Sequence, residues 1–89
     1  MLVLPAQLTH AEAAACSRML AQALQSEPGR EAVADASALQ QFDSSALAVL
    51  LECRREALAM GKTFVVSRLP PRLGELAGVY GVSELLGTA

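Results

Sequence analysis

The clearest pattern in the chain is a helical repeat of apolar residues between Phe42 and Gly61. At 100° per residue, Ala46, Val49, Leu50, Cys53, Ala57 and Met60 share one face, Leu47, Leu51 and Leu58 widen it, and Glu52, Arg55 and Ala59 point away. This predicts an amphipathic helix with Asp43 as N-cap, its carboxylate accepting a free backbone N–H, and with Ser44 and Ser45 in the first turn. Gly61 supplies the stop, because it adopts the left-handed conformation that ends helices. Burying Val49, Leu50, Leu51 and Met60 would contribute about 1.5–3 kcal/mol each before entropy is subtracted, enough to fix the helix on a sheet.

The remaining elements follow from the same reasoning. Met1 to Leu4 is a short apolar run that Pro5 terminates, a pattern suited to a strand end or edge. Thr9-His10-Ala11-Glu12 has capping-box spacing and opens a helix to about Gln25, with Ala13, Cys16, Leu20, Ala23 and Leu24 inward. A polar turn, Ser26 to Arg30, leads into an extended segment, Glu31 to Ala36, centred on Val33 and alanine-rich for a strand. Leu39 and Phe42 anchor the next loop. Lys62 to Ser67 is the strongest strand, with Phe64, Val65 and Val66 as a buried run. Pro71 suits the first turn of a last helix presenting Leu73, Leu76, Ala77 and Tyr80, which Gly81 closes before Val82, Leu85 and Leu86 fold the tail back. The β-α-β-α-β-α order predicts one α/β domain over residues 1–89, a small sheet with right-handed crossovers covered by three to four helices.

Composition removes several functions from consideration. Although 53% of the residues are hydrophobic, the longest uncharged apolar runs fall far short of the roughly 18 residues that a membrane span needs. No basic leader precedes an apolar stretch at the N-terminus, so a soluble, cytoplasmic chain is expected. The net charge of −2 and the scarcity of aromatic residues, Phe42, Phe64 and Tyr80, argue against nucleic acid, which needs clustered cations or stacking rings. No basic amphipathic helix suggests direct membrane insertion. Cys16 and Cys53 fall on apolar helix faces, where a reduced structural cysteine is expected, and no CxxC spacing implies a metal or cofactor.

Catalytic motifs fare no better. Gly61-Lys62-Thr63 matches the end of a phosphate-binding P-loop, but the first glycine of that motif would fall at Glu56, within a helix. The order is also inverted, because here a helix leads into a strand. Asp43 and Ser44 have no histidine placed by a recognisable motif, and His10 is expected to be a surface or capping-region residue.

The run Asp35…Phe42-Asp43-Ser44-Ser45-Ala46-Leu47-Ala48-Val49-Leu50-Leu51, followed by Gly61 and the strand Thr63 to Ser67, resembles a STAS domain, the fold of anti-sigma-factor antagonists. In that family D-[ST]-[ST/A]-G-L opens the central helix, and the first hydroxyl after Asp can be a regulatory phosphorylation site, which by position is Ser44. The tail Leu76-Ala77-Gly78-Val79-Tyr80-Gly81-Val82, with Leu85-Leu86, is similar to the end of the MlaB-like branch. That resemblance implies a non-catalytic subunit that binds and stabilises or activates the cytoplasmic ATPase of an ABC phospholipid transporter, which maintains outer-membrane lipid asymmetry. It would be held at the inner membrane through that ATPase and its permease, with Asp43, Ser44, Ser45 and Ala46 as the partner-binding segment. The alternative within the family is an anti-sigma-factor antagonist whose Ser44 is phosphorylated by an anti-sigma factor kinase. A small enzyme with Ser44 as nucleophile is the third expectation, from a different class. Two departures stand out: Ala46 replaces the family's glycine, and the N-terminal region is shorter than the usual strand pair, implying one strand fewer.

Overall fold

A computed structural model describes residues 1–87. Its central sheet joins three parallel strands in the order β1 (Leu2–Val3), β3 (Glu31–Asp35), β5 (Thr63–Ser67). Ala32 pairs with Phe64 and Ala34 with Val66, while Leu2 sits beside Ala34. Alternation sends Leu2, Ala32, Ala34, Phe64 and Val66 to one face, where all are buried. Onto that face pack α1 (His10–Ser26) and α2 (Ser44–Ala59), which also pack on each other.

Each step along the sheet, from β1 to β3 to β5, advances by one strand in the same direction. Strand order therefore never reverses, and the crevice that forms where it does, the usual ligand site of open α/β sheets, has no place here. On the opposite face Val33 and Val65 are half-buried, and Val3 is 58% exposed. The sheet is thus packed on one side. Val33 is the central residue of its strand but lies on the half-buried face, and the run Phe64-Val65-Val66 is interrupted; the two-residue period of a strand puts the alanines of β3 inward. Ala32, Ala34 and Ala36 are fully buried, as are Ala46 and Ala57 on α2. Small side chains at these positions let helix and sheet approach closely, and central placement between two ladders overrides the weak strand propensity of alanine.

A second, two-stranded parallel ladder pairs β2 (Gln7–Leu8) with β4 (Gln41–Phe42). It was not expected from the sequence, because two-residue strands carry no periodicity to detect. Leu39, buried as anticipated, anchors the loop that leads to it. The chain is completed by α3 (Pro71–Val79) and α4 (Ser83–Leu86), which place Leu73, Ala77 and Leu86 in the core.

Both α2 and α3 end in the same glycine-closed turn. Gly61 at φ +76° donates its N–H to Leu58 O and Lys62 donates to Ala57 O; Gly81 at φ +72° donates to Gly78 O and Val82 to Ala77 O. The first turn leads the chain into β5, and Lys62, just before that strand, is only 9% exposed, its ammonium donating to Glu27 O at 2.8 Å and Gly29 O at 2.5 Å. The lysine of the P-loop-like triplet therefore clamps the α1–β3 turn. α2 ends at Ala59, so Met60, its C-cap, leaves helical phase and is 43% exposed, while Leu58, within the helix at the side of its apolar face, is 47% exposed. Ala23 on α1 is likewise exposed. Burial pushes the Cys53 thiol up to about 11, with neighbouring Cys16 adding to the effect, so neither buried cysteine is a reactive thiolate at neutral pH.

Candidate functional site

The β2–β4 ladder fixes where α1 and α2 begin. Leu8 is in register with Phe42, so the residues that follow, Thr9 and Asp43, occupy the next positions of two parallel chains and become the N-caps of the two helices. At Thr9, both the backbone N–H and the hydroxyl donate to Glu12 Oε1, at 2.8 and 2.7 Å. At Asp43, Oδ1 accepts from Ser45 N at 2.8 Å, as an N-cap should, and Oδ2 accepts from His10 N at 3.1 Å.

Of the four residues expected to meet a partner, Asp43 and Ser44 are exposed and Ser45 is half-buried. Ala46 is 0% exposed and belongs to the core cluster, on the apolar face of α2 where its helical phase puts it. Two residues, about 200° of helical rotation, carry the chain from the solvent side at Ser44 to the sheet side at Ala46.

Ser44 also stands at the rim of a groove of about 330 Å³, lined by Leu47, Ala48 and Leu51 of α2 and by Tyr80 and Val82. Sequence periodicity assigned Leu51 and Tyr80 to the interior. Instead Leu51 is half-buried and Tyr80 is 59% exposed, because the turn at Gly81 leaves Tyr80 as the cap of α3 and brings Val82 back beside α2. Val79 and Leu85, 81% and 41% exposed, are the other large apolar side chains of this end of the chain left in solvent. The detectable signal was Tyr80-Gly81-Val82 itself: a helix-ending glycine between two apolar residues cannot bury both on one helical face. Nearby, the Arg72 guanidinium lies 5.9 Å from the centroid of the Phe42 ring and covers it.

His10 is brought to Asp43, but by its backbone N–H, and among the described residues its imidazole makes no hydrogen bond to Ser44. No side chain among the described residues hydrogen-bonds to the Ser44 hydroxyl in the first turn of α2. Among the described residues no group of three or more His, Cys, Asp or Glu side chains could hold a metal ion.

Carboxylates at this end of the molecule share one electrostatic property. Asp43 lies below its ordinary value of 3.8 because the Ser45 and His10 amides bond to its charged form, and Glu12 lies below 4.5 through its bonds from Thr9. Asp35 is lowered by the Ser37 amide, which donates to Oδ1 at 2.9 Å, and further by nearby Arg68. A folded-state value below the unfolded one contributes stability above the unfolded value, and that contribution is lost as pH falls towards the folded one. The melting temperature should therefore change little on account of these groups from pH 7 to 5 and fall below about pH 4, with a shallower fall in Asp43→Asn. Circular-dichroism melts across pH 2–7 check this; parallel acid limbs for Asp43→Asn and the parent chain would contradict it.

No helix among the described residues is long and apolar enough to cross a membrane. A search of curated proteins finds no match to the chain. A family model described as the MlaB STAS domain matches residues 1–87, which contain both helix starts, the groove and the whole of the core. With the three-stranded parallel sheet, the four helices and the Asp-Ser-Ser start of α2 all inside that match, the chain belongs to the MlaB-type STAS-domain family.

Proposed function

We propose that this chain is a non-catalytic STAS subunit that docks on the cytoplasmic ATPase of an ABC phospholipid transporter and stabilises or activates it. The observation that carries the proposal is the Ser44 hydroxyl at the rim of an open apolar groove that ends at the exposed ring of Tyr80. Protein interfaces combine a desolvated apolar centre with a polar rim, and an exposed tyrosine at such a centre is a common energetic anchor. Ser44, Asp43 and Ser45 supply the rim, and Leu51, Tyr80 and Val82 the centre. The buried side of α2 holds that surface rigid, and membrane attachment comes through the ATPase and its permease.

Co-purification tests this. The tagged chain should recover an ABC ATPase with its permease; Tyr80→Ala should weaken recovery by an amount equivalent to about 2 kcal/mol, roughly thirtyfold, and Ser44→Glu should do so by placing an unpaired charge in the interface. Melting temperatures of both variants should stay near that of the parent, since both side chains are exposed. Undiminished recovery with both variants would place the contact elsewhere.

The exposure of Ser44 in the first turn of α2 also supports the second reading, an anti-sigma-factor antagonist switched by phosphorylation. A phosphate there gains about 0.3–1 kcal/mol from the helix N-terminus, opposed by the adjacent Asp43 charge. Recovery of a kinase-like anti-sigma factor, or of phosphate on Ser44 in the native protein, would favour this reading over the first.

A further inference from the structure

We propose that Asp43 is a positioning residue that makes the first turns of α1 and α2 a single surface, so that charge placed at Ser44 is felt at His10. The carboxylate serves two helices at once. Oδ1 takes the Ser45 amide of α2, and Oδ2 takes the amide of His10, the first residue of α1 and 33 positions earlier in the chain. A helix start leaves its first amides without intrahelical acceptors, and the usual donor of relief is the helix's own cap. In α1 that cap is Thr9, whose hydroxyl donates to Glu12 Oε1. Asp43 thus supplies for α1 the acceptor that the His10 amide uses.

The β2–β4 ladder makes the arrangement specific, because it brings Thr9 and Asp43 level and so sets the two helix starts side by side. Ser44 lies next to the shared carboxylate in sequence and is exposed, as is His10. A glutamate or phosphate on residue 44 adds negative charge beside Asp43 and competes for the amides that the carboxylate holds. The longer of the two bonds, to His10 at 3.1 Å, is the one that ties separate helices. Its loss frees the first turn of α1 without uncapping α2. For a partner docked as proposed above, on which the functional meaning of this coupling rests, the surface at Ser44 then includes His10, and its shape depends on the state of Ser44.

Residue-resolved amide exchange on the full chain tests the coupling without any partner. Asn at position 43 retains a carbonyl to cap Ser45 but has one acceptor atom where Asp has two. Asp43→Asn should therefore speed exchange at His10 on the order of tenfold while Ser45 stays protected, and Asp43→Ala should expose both amides. Ser44→Glu should speed exchange at His10 in the same sense. Exchange at His10 unchanged in Asp43→Asn or in Ser44→Glu, or an equal rise throughout α1 and α2, would overturn the proposal. The test also separates the two proposals: the exchange pattern without recovery of an ATPase leaves the coupling standing and removes the docking partner, whereas weakened docking of Ser44→Glu with an unaltered His10 amide does the reverse.

Discussion

Leu50→Ala is expected to lower the unfolding free energy by about 2–5 kcal/mol, towards the upper end of that range. Leu50 is 0% exposed in the middle of α2, the helix that packs on α1, β5, α3 and α4. Truncation removes transfer free energy and leaves a cavity, and its surroundings are poorly able to collapse into it. The core that Leu50 belongs to is rich in alanine, Ala32, Ala34, Ala36, Ala46 and Ala57, which have no side-chain freedom with which to fill a void. Domains of this size are stable by roughly 5–15 kcal/mol, so the loss is a large share of the total. Urea denaturation followed by far-ultraviolet circular dichroism measures it, and a loss below about 1 kcal/mol would mean that α2 is not the central packing element.

Lys62→Met should cost roughly 2–3 kcal/mol, a large effect for a position that retains an unbranched apolar stem. The ammonium donates to two backbone oxygens, Glu27 O and Gly29 O, from a site 9% exposed. Hydrogen bonds from a charged donor contribute about 1.5–3 kcal/mol each, but both carbonyls lie in a turn that water can reach, which moves the sum towards the value of a single bond. The side chain of Glu27 also holds the N-terminal amine, so the same turn ties β1 to the α1–β3 connection. Denaturation midpoints together with amide exchange at Glu27 and Thr63, which donate to Leu24 O and Arg30 O on either side of the turn, check the expectation. A variant that loses stability while those amides remain protected would show that the stem, and not the ammonium, is what matters.

Much of the fold was legible because it rests on local chemistry. Asp43 caps α2, Thr9 and Glu12 are joined at the start of α1, and Gly61 and Gly81 end their helices with positive φ, each following from residue type and position. What the periodicity misplaced lies at element ends. Met60 and Tyr80, the C-caps of α2 and α3, were assigned inward by extending a helical phase beyond the residues where the helix holds it. Strands were legible as strands, but the burial of Ala32 and Ala34 in preference to Val33 depends on which face the helices choose, and that is a property of the crossovers rather than of the segment.

The candidate site divides along the same line. Its polar half, Asp43 and Ser44, was visible as a capping sequence, whereas its apolar half was not, because Tyr80 and Val82 reach α2 only through the turn at Gly81. The second ligand of Asp43 was equally hidden. Nothing in the sequence near His10 points to a residue 33 positions away; the link comes from a ladder of two-residue strands.

The way the central sheet is bordered has a consequence for the chain's behaviour at high concentration. Open strand edges are templates for unwanted pairing between molecules. Along β5 the chain covers its own edge, since Val66 N donates to Gly87 O at 3.1 Å, and the tail lies so near that a side-chain carbon on Gly87 would meet Val65 at 3.4 Å. At the other border β1 has only two residues and is followed within two positions by Pro5, which has no N–H to offer a new strand. One edge is thus covered at Val66 and the other kept too short to propagate, which disfavours edge-to-edge aggregation while the helix surface around Ser44 stays open.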